Sequence, residues 1–212
     1  MVWRFVVAGL ESRSFVFVDE MGTHTSLAPL YGYSPRGQRT FFKIPRNRGT
    51  NTTLLSSMSL EGMGPSMAIE GSTTKEVFEV YIEHCLAPML RRGQVVVMDN
   101  LSAHKDQRVR KLIEDRGCEL LYLPPYSPDL NPIEEAFSKV KRLLRVIKAR
   151  TKEALVEAIG KALDAVGASD ARGFFTHCGY GGLEQQPTSK TLYCAKGGPG
   201  LRRTLGWKVS DA

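Results

Sequence analysis

The sequence predicts an α/β fold in which a mixed β-sheet is flanked by helices. The first observation is a series of short apolar segments, separated by turn residues, in the first third of the chain. The second is the alternation of helix-like and strand-like segments that follows. The third is a hydrophobic content of 42% in 212 residues, which suits one sizeable core. Consecutive antiparallel strands followed by β-α-β units form a mixed sheet with helices on its faces.

The strands of the first part are predicted from apolar runs. Residues 15–18 form a continuous run of Phe and Val, which is typical of a strand that is buried on both faces. After the turn-rich segment 33–37, residues 40–44 and 53–60 are predicted to form the second and third strands. Residues 66–69 are predicted to form a further short strand.

The pattern then changes to helices and buried strands in alternation. Thr73 with Glu76 three residues later is a capping-box pattern, and it predicts a helix that runs to about residue 90. Residues 124–128, with the sequence PPYSP, predict a rigid, extended connection. The elements between them are a strand at 94–98, a helix from about 105 to 116 that ends at Gly117, and a strand at 119–123.

The clearest helix start in the sequence lies at Asn131. Asn131 is a good N-cap residue, Pro132 suits the first helical position and Glu134 takes the third. A last helix is predicted from about residue 151 to residue 166. This order of elements is that of a ribonuclease H-like fold, which we expect for residues 1–180. The Gly-rich residues 181–212 are expected to form a poorly ordered tail.

Two of the predicted buried strands are each followed by an aspartate. Residues 15–18 lead into Asp19 and Glu20, and residues 94–98 lead into Asp99. If the two strands are parallel neighbours, both carboxylates emerge at the sheet edge where ligands bind in open α/β sheets. Adjacent carboxylates repel unless a proton or a cation lies between them, and hard oxygen ligands select Mg²⁺ or Mn²⁺. The alternative is that these aspartates are solvated turn residues, and the choice between Asp19 and Glu20 stays open.

The helix that begins at Pro132 offers a third carboxylate. Its apolar residues form one narrow stripe that must face the core. At about 100° per residue, Glu134 is predicted to border the sheet and Glu135 to face solvent. The alternative is a capping box between Asn131 and Glu134, which needs no catalysis. The stripe consists of Ile133, Phe137, Val140, Leu144 and Ile147.

Basic residues favour a polyanionic partner. The net charge is +7, which fits nucleic acid binding. Two groups of basic side chains are candidate phosphate contacts, with a solvated helix face and a solvated hairpin face as the alternatives. The first group lies along the line of Glu134 on its helix, and the second lies around the turn-rich segment: Lys141, Arg145 and Lys148, and Arg36, Arg39, Lys43, Arg46 and Arg48.

The cysteine pattern and the hydropathy exclude several other classes of protein. The four cysteines form no CxxC pair, so a reducing, cytoplasmic setting is expected rather than a secreted disulfide scaffold. No apolar run approaches the roughly 18 residues that span a bilayer, so no membrane partner is expected. A zinc module is the alternative for the pairs His84-Cys85 and His177-Cys178. However, adjacent residues on a helix point to different faces and lack the usual spacing of zinc ligands.

Three blocks are the most specific feature of the sequence. They comprise residues 17–20 (FVDE), residues 97–100 (VMDN) with His104, and residues 123–135 (LPPYSPDLNPIEE). In this order they resemble the signature blocks of mariner-like DDE transposases, in particular those of the bacterial insertion-sequence branch. The 34 residues between the second and third acids also match the spacing in that family.

The resemblance implies a metal-dependent DDE endonuclease. It assigns Asp19, Asp99 and Glu134 as catalytic acids that hold two Mg²⁺ ions, for which Mn²⁺ substitutes, with Asn100 and His104 as neighbours of that site. In such enzymes the two ions clamp a phosphodiester for strand cleavage and strand transfer. The resemblance also implies terminal inverted repeats and target DNA as partners, a homodimer, and a bacterial cytoplasm with nucleoid association.

Members of that family usually carry N-terminal helix-turn-helix domains as well. The chain begins almost at the first catalytic strand, so a separately encoded helix-turn-helix subunit is expected as a partner. The alternative function is that of a truncated, inactive remnant that only binds DNA non-specifically. DNA binding without Mg²⁺-dependent cleavage distinguishes this alternative from a working enzyme.

Overall fold

Five strands form one sheet in the computed structural model, which describes residues 2–7, 9–29, 31–41, 43–46, 49–100 and 106–181. The spatial order within these residues is third, second, first, fourth and fifth strand. The strands are β1 (Phe15–Thr23), β2 (Thr52–Ser59), β3 (Gly62–Glu70), β4 (Val95–Met98) and β5 (Glu119–Tyr122).

The direction of strand pairing changes at β1. β1 pairs with β2, and β2 with β3, in antiparallel fashion, whereas β1 with β4 and β4 with β5 are parallel. Val18 lies opposite Met98, and Met98 lies opposite Tyr122. The sheet is therefore mixed, as predicted, and the carboxyl end of β4 lies beside the middle of β1.

Helices lie on both faces of this sheet. None of the helices in the described residues combines the length and hydropathy needed to cross a bilayer. A π-helical turn (Ile82–Leu86) and a 3₁₀ turn (Ala87–Met89) continue the second helix, and 3₁₀ turns at Ser12–Ser14 and Pro128–Leu130 precede β1 and the fourth helix. The α-helices are α1 (Val2–Val6), α2 (Lys75–Tyr81), α3 (Gln107–Glu114), α4 (Pro132–Ile147), α5 (Lys152–Asp164) and α6 (Ala168–His177).

The alternation of side chains along β1 divides the core into two layers. Phe15 and Phe17 pack among the buried side chains of α4, α5 and α6, whereas Val16 and Val18 pack with those of α2 and α3. Because both faces of β1 are covered in this part, its first four residues are continuously apolar rather than alternating. The ring of Tyr180, which follows α6, joins the first layer and lies 5.1 Å from the ring of Phe17, centroid to centroid.

Three sequence predictions about the first half are wrong in detail. Of the predicted second strand, residues 40, 41, 43 and 44 are described, and they lie in an exposed, non-strand connection between β1 and β2. β1 does not end at Asp19 but runs on to Thr23, because β2 pairs with it over that whole length. The second helix is capped by Thr74 rather than Thr73, since Thr74 accepts the N–H of Val77.

The predictions for the other elements agree better with the structure. α3, α4 and α5 lie where helices were predicted, and β2, β3, β4 and β5 lie where strands were predicted, with β3 longer than expected. The helix α6 was not predicted. Arg48, His104 and the tail residues 182–212 lie outside the described residues.

Candidate active site

Asp19 and Asp99 lie at the same edge of the sheet. They directly follow the register partners Val18 and Met98 of the parallel pair β1 and β4, so their backbones are neighbours. Asp19 is only 6% exposed, whereas Asp99 is half-buried. The structure thus brings together the first two acids that the sequence suggested.

The carboxylate of Asp19 is held by two hydrogen bonds. Its Oδ1 accepts the backbone N–H of Glu20 at 2.7 Å, and its Oδ2 accepts the side-chain amide of Asn131 at 2.8 Å. Glu20 points to the other face of the strand, where its Oε2 is buried without a hydrogen bond from the described residues. The geometry therefore favours Asp19 over Glu20 as the acid at this edge.

Glu134 faces the same cavity as the two aspartates. It occupies the third position of α4, is exposed, and is brought to the sheet edge because Asn131 at the start of the helix contacts Asp19. The cavity has a volume of about 370 Å³. Its lining consists of Asp19, Asp99, Asn100, Asn131 and Glu134, together with residues 123–128.

Asn131 does not cap its helix in the predicted way. No side-chain cap hydrogen bond forms at Asn131 in the structure, since its amide is directed to Asp19. Only its backbone carbonyl serves the helix, by accepting the N–H of Glu134 at 3.1 Å. The alternative of a capping box between Asn131 and Glu134 is therefore wrong, and Glu134 lines the cavity.

Glu135 does not face solvent as predicted. It is half-buried against the end of α6, where its Oε1 contacts the ring nitrogen Nδ1 of His177 and lies 3.9 Å from the sulfur of Cys178. Burial raises the pKa of the Cys178 thiol to about 12, and the negative charges of Glu135 and Asp129 add to this effect. The side of α4 that carries Glu135 is thus occupied by α6, which explains why the sequence misplaced it.

The loop between β5 and α4 forms one wall of the cavity. The hydroxyl of Ser127 donates to the carbonyl of Pro124, and a 3₁₀ turn at Pro128–Leu130 leads into the helix. Tyr126, at the tip, has a φ of 56° and a fully exposed side chain. A positive φ at a non-glycine residue is costly, and such residues cluster at functional sites.

Tyr180 supports the end of this loop through hydrogen bonds, a role that the sequence did not predict. Its hydroxyl donates to the carbonyl of Leu130 at 2.7 Å and accepts the indole N–H of Trp3 at 3.0 Å. Burial raises the pKa of Tyr180 far above its usual value. Periodicity could not reveal this role, because the partners are distant in sequence.

The basic side chains fall into two separate groups. Lys141 and Arg145 are half-buried on α4, and Lys148 follows the end of the helix with a φ of 57°. In the part of the chain that the structure describes, neither Lys141 nor Arg145 forms an ion pair. The second group is exposed on the connection between β1 and β2: Arg36, Arg39, Lys43 and Arg46.

The described residues that line the cavity offer oxygen ligands and no histidine or cysteine. Asp19, Asp99 and Glu134 supply carboxylates and Asn100 an amide, which is the donor chemistry that Mg²⁺ and Mn²⁺ prefer. As the side chains stand, however, no three His, Cys, Asp or Glu side chains among the described residues are close enough to hold a metal ion together. By its chemistry the donor set nevertheless fits a divalent cation.

The chain belongs to the DDE superfamily endonuclease family, whose model matches residues 14–156. This range contains all three acids and the whole cavity lining. The prediction of a DDE endonuclease domain is thereby confirmed.

Two relatives of the chain are transposases of nematode transposable elements. The chain is 30% identical over 138 residues to the Tcb1 transposase of Caenorhabditis briggsae, which covers 62% of this chain and 50% of that protein. It is 29% identical over 138 residues to the Tc1 transposase of Caenorhabditis elegans, with 63% and 50% covered. The chain therefore spans about half the length of these relatives.

Solved structures of the Mos1 transposase share the fold. The paired-end complex with the left transposon end matches with a TM-score of 0.66 and 19% identity, covering 84% of this chain and 55% of that chain. The catalytic domain of Mos1 mariner transposase matches with a TM-score of 0.57 and 17% identity, covering 84% and 82%. These likenesses confirm the predicted ribonuclease H-like arrangement of a mixed sheet flanked by helices.

Proposed function

We propose that this domain is the catalytic part of a transposase that cleaves DNA at transposon ends and transfers the cut strand to target DNA. The observation that carries the proposal is the convergence of Asp19, Asp99 and Glu134, from three separate segments, on one cavity. Two of them come from parallel neighbouring strands and the third from the first turn of a helix. In this proposal the three residues are the catalytic acids.

The three acids differ in how firmly they are held. Asp19 is buried and fixed by two hydrogen bonds, so it provides a rigid reference point. Asp99 is half-buried, whereas Glu134 is exposed and can adjust when the substrate enters. Two Mg²⁺ or Mn²⁺ ions, when bound by these oxygens, would activate the attacking water or 3′-hydroxyl and stabilise the leaving oxygen. The Mos1 paired-end complexes include one with Mg and one with Mn.

The basic groups provide a path for the DNA backbone. Lys141 and Arg145 lie on the same helix as Glu134, and Lys148 follows its end. The connection between β1 and β2 adds exposed cations beside the exposed rings of Tyr31, Tyr33 and Phe41. Cationic side chains bind phosphates, and aromatic rings stack on unpaired bases. The phosphate contacts that we propose are Arg36, Arg39, Lys43, Arg46, Arg48, Lys141, Arg145 and Lys148.

We also propose the partners of this domain and the origin of the transposable element that encodes it. The substrates are the terminal inverted repeats of a transposon and its target DNA, and the working unit is a homodimer with a separately encoded helix-turn-helix subunit. Residues 1–180 form the catalytic domain, and residues 181–212 a tail outside it. The block at residues 123–135 favours an insertion sequence of a bacterium, although the relatives named above are nematode elements. Inverted repeats in the DNA that flanks the gene would support this origin.

The test is cleavage of an inverted-repeat duplex, taken from the DNA that flanks the gene, in the presence of Mg²⁺. We expect Asp19→Ala, Asp99→Ala and Glu134→Ala each to abolish cleavage, because each removes one oxygen donor from the cavity. Asp129→Ala is the matched control, since Asp129 is an exposed acid on the cavity loop that does not line the cavity. Cleavage by Asp99→Ala at the rate of the control would refute the assignment. Binding of the duplex by the unaltered chain without any cleavage would favour the inactive remnant.

A further inference from the structure

We propose that Asn131 is a positioning residue for the active site, which holds the Asp19 carboxylate in the orientation that binds the divalent cation. This inference rests on the proposed function. It concerns a residue that touches an acid rather than the DNA or the reacting phosphate, so its effect is exerted through Asp19.

The contacts of Asn131 connect the first acid to the helix that carries the third. Its side-chain Nδ2 donates to Oδ2 of Asp19 at 2.8 Å across 112 positions of sequence. Its backbone carbonyl accepts the N–H of Glu134, and its own backbone N–H donates to the carbonyl of Pro128 at 3.0 Å. The distance between the cavity faces of β1 and α4 is therefore set in part by this one residue.

The side chain of Asn131 makes this contact at a cost to the fold. An asparagine at this position ordinarily accepts a backbone N–H of the first turn, which stabilises the helix. Here that cap is absent, and the side-chain Oδ1 is buried without a hydrogen bond from the described residues, in a side chain that is 4% exposed. A buried, unpaired carbonyl oxygen is unfavourable. Because the Asn131 amide contacts Asp19 instead of capping the helix, its role is to orient that acid rather than to stabilise the helix.

Within the described residues, two donors restrain the orientation of the Asp19 carboxylate. The N–H of Glu20 occupies Oδ1 and the amide of Asn131 occupies Oδ2, so both oxygens are restrained. A carboxylate oxygen has more than one lone pair, so it can accept a hydrogen bond and bind a cation as well. Groups that orient metal ligands in this way change cation affinity by about tenfold to a hundredfold when they are removed.

The test separates cation affinity from folding. Asn131→Ser removes the amide but introduces a hydroxyl that caps helices well. The gained cap offsets the hydrogen bond lost from Asp19, so the urea midpoint is expected to stay close to that of the unaltered chain. Asn131→Ala removes the amide and supplies no cap in its place, so it is expected to lower the midpoint. Both variants should lower the affinity for Mn²⁺, measured with the DNA-free protein by electron paramagnetic resonance, by about tenfold or more. Asn51→Ser, which removes an amide from an exposed residue that is not part of the cavity lining, is the matched control.

The possible outcomes distinguish this inference from the proposed function. Weaker Mn²⁺ binding in both Asn131 variants, with unchanged binding in the control, supports the positioning role. If Asp99→Ala abolishes Mn²⁺ binding but Asn131→Ser binds like the control, the positioning role is wrong and the proposed function stands. If the unaltered chain and Asp99→Ala bind Mn²⁺ equally, or neither binds it, both proposals fall.

Discussion

The indole N–H of Trp3 donates a hydrogen bond of 3.0 Å to the hydroxyl of Tyr180, 177 positions later in the chain. The same hydroxyl donates to the carbonyl of Leu130, and the hydroxyl of Ser12 donates to the backbone carbonyl of Tyr180 at 2.5 Å. Leu130 immediately precedes Asn131, so the two ends of the described chain together support the turn from which the cavity wall is built.

Removing the Tyr180 hydroxyl should therefore destabilise the domain. In Tyr180→Phe the buried Trp3 N–H and the Leu130 carbonyl both lose their partner, and each unsatisfied buried group costs about 1–3 kcal/mol. We expect the free energy of unfolding, measured by urea denaturation, to fall by about 2 kcal/mol.

A double variant provides the control for this prediction. Trp3→Phe removes the donor that Tyr180→Phe leaves unpaired, so the two changes together should cost less than the sum of the single changes. Strict additivity, or an unchanged midpoint in Tyr180→Phe, would show that the hydrogen bond has no energetic role.

The sequence predicted the parts of the fold that depend on local patterns. β1 and β4 were recognised because strands buried on both faces have continuous apolar sequences, and α4 was recognised because its start at Asn131 and Pro132 is distinctive. The connection at residues 40–44 was mistaken for a strand because an aromatic run predicts a strand whether or not a neighbouring strand pairs with it. The helix α6 lacks a sustained apolar stripe, since it buries mainly Ala171 and Phe175.

For the site, the sequence suggested three acids that share one cavity in the structure, but not what holds them. Strand ends and a helix start made Asp19, Asp99 and Glu134 candidates, and the family resemblance selected them. The contact of Asn131 with Asp19 and the support from Tyr180 were missed, because both depend on packing between distant segments. Glu135 was placed in solvent for the same reason, since the angle around a helix does not show which neighbouring helix covers it.

Tyr126 should be replaceable by glycine with a gain in stability. Its φ of 56° costs about 1–2 kcal/mol for a residue with a Cβ, and its fully exposed ring makes no compensating burial. Glycine also has more freedom in the unfolded chain, which offsets part of the relieved strain. We therefore expect the free energy of unfolding of Tyr126→Gly to rise by only about 0.5–1 kcal/mol. Tyr126→Ala, which keeps the Cβ, should show no increase. An equal gain in both variants would mean that the backbone is not strained.

Cys178 should resist alkylation in the folded protein. Burial, followed by the nearby charges of Glu135 and Asp129, raises the pKa of its thiol to about 12, so almost no thiolate is present at pH 8. We expect iodoacetamide to modify it at least about a hundredfold more slowly in buffer than in urea. Mass spectrometry of the peptide that contains Cys178 provides the measurement. Similar rates in buffer and in urea would contradict the burial of this thiol.

The ion pair between Lys139 and Asp170 should make the packing of α4 against α6 sensitive to acid. Lys139 donates to Asp170 at 2.7 Å, and this hydrogen bond lowers the pKa of the carboxyl group. A lowered pKa in the folded state means that the stabilisation is present above the unfolded pKa of about 3.9 and is lost as the pH falls through the folded value. Asp170→Asn should therefore be less stable than the unaltered chain at pH 7, by no more than about 1 kcal/mol for a partly exposed pair.

The gap between Asp170→Asn and the unaltered chain should shrink as the pH falls below about 4. Lys139→Met provides the matched control, because it removes the other partner and should show the same pH dependence. Urea midpoints across this pH range provide the measurement. A gap that keeps its size down to pH values where the carboxyl group is protonated would assign the effect to packing rather than to charge.

Lys141 and Arg145 should contribute to DNA affinity through the phosphates. Each phosphate contact releases a counterion, so the slope of log K against log salt concentration changes by about 0.9 per contact on duplex DNA. Replacing both residues by Gln should reduce the magnitude of the slope by about 2 for a short duplex, measured by fluorescence anisotropy. The control replaces Arg110 and Lys111 by Gln. These residues lie on α3, whose buried residues pack against the other face of the sheet, and they are paired with Glu114 and Asp115. Equal salt-dependence slopes for the two double variants would show that net charge alone governs binding. In that case α4 does not contact the DNA phosphates.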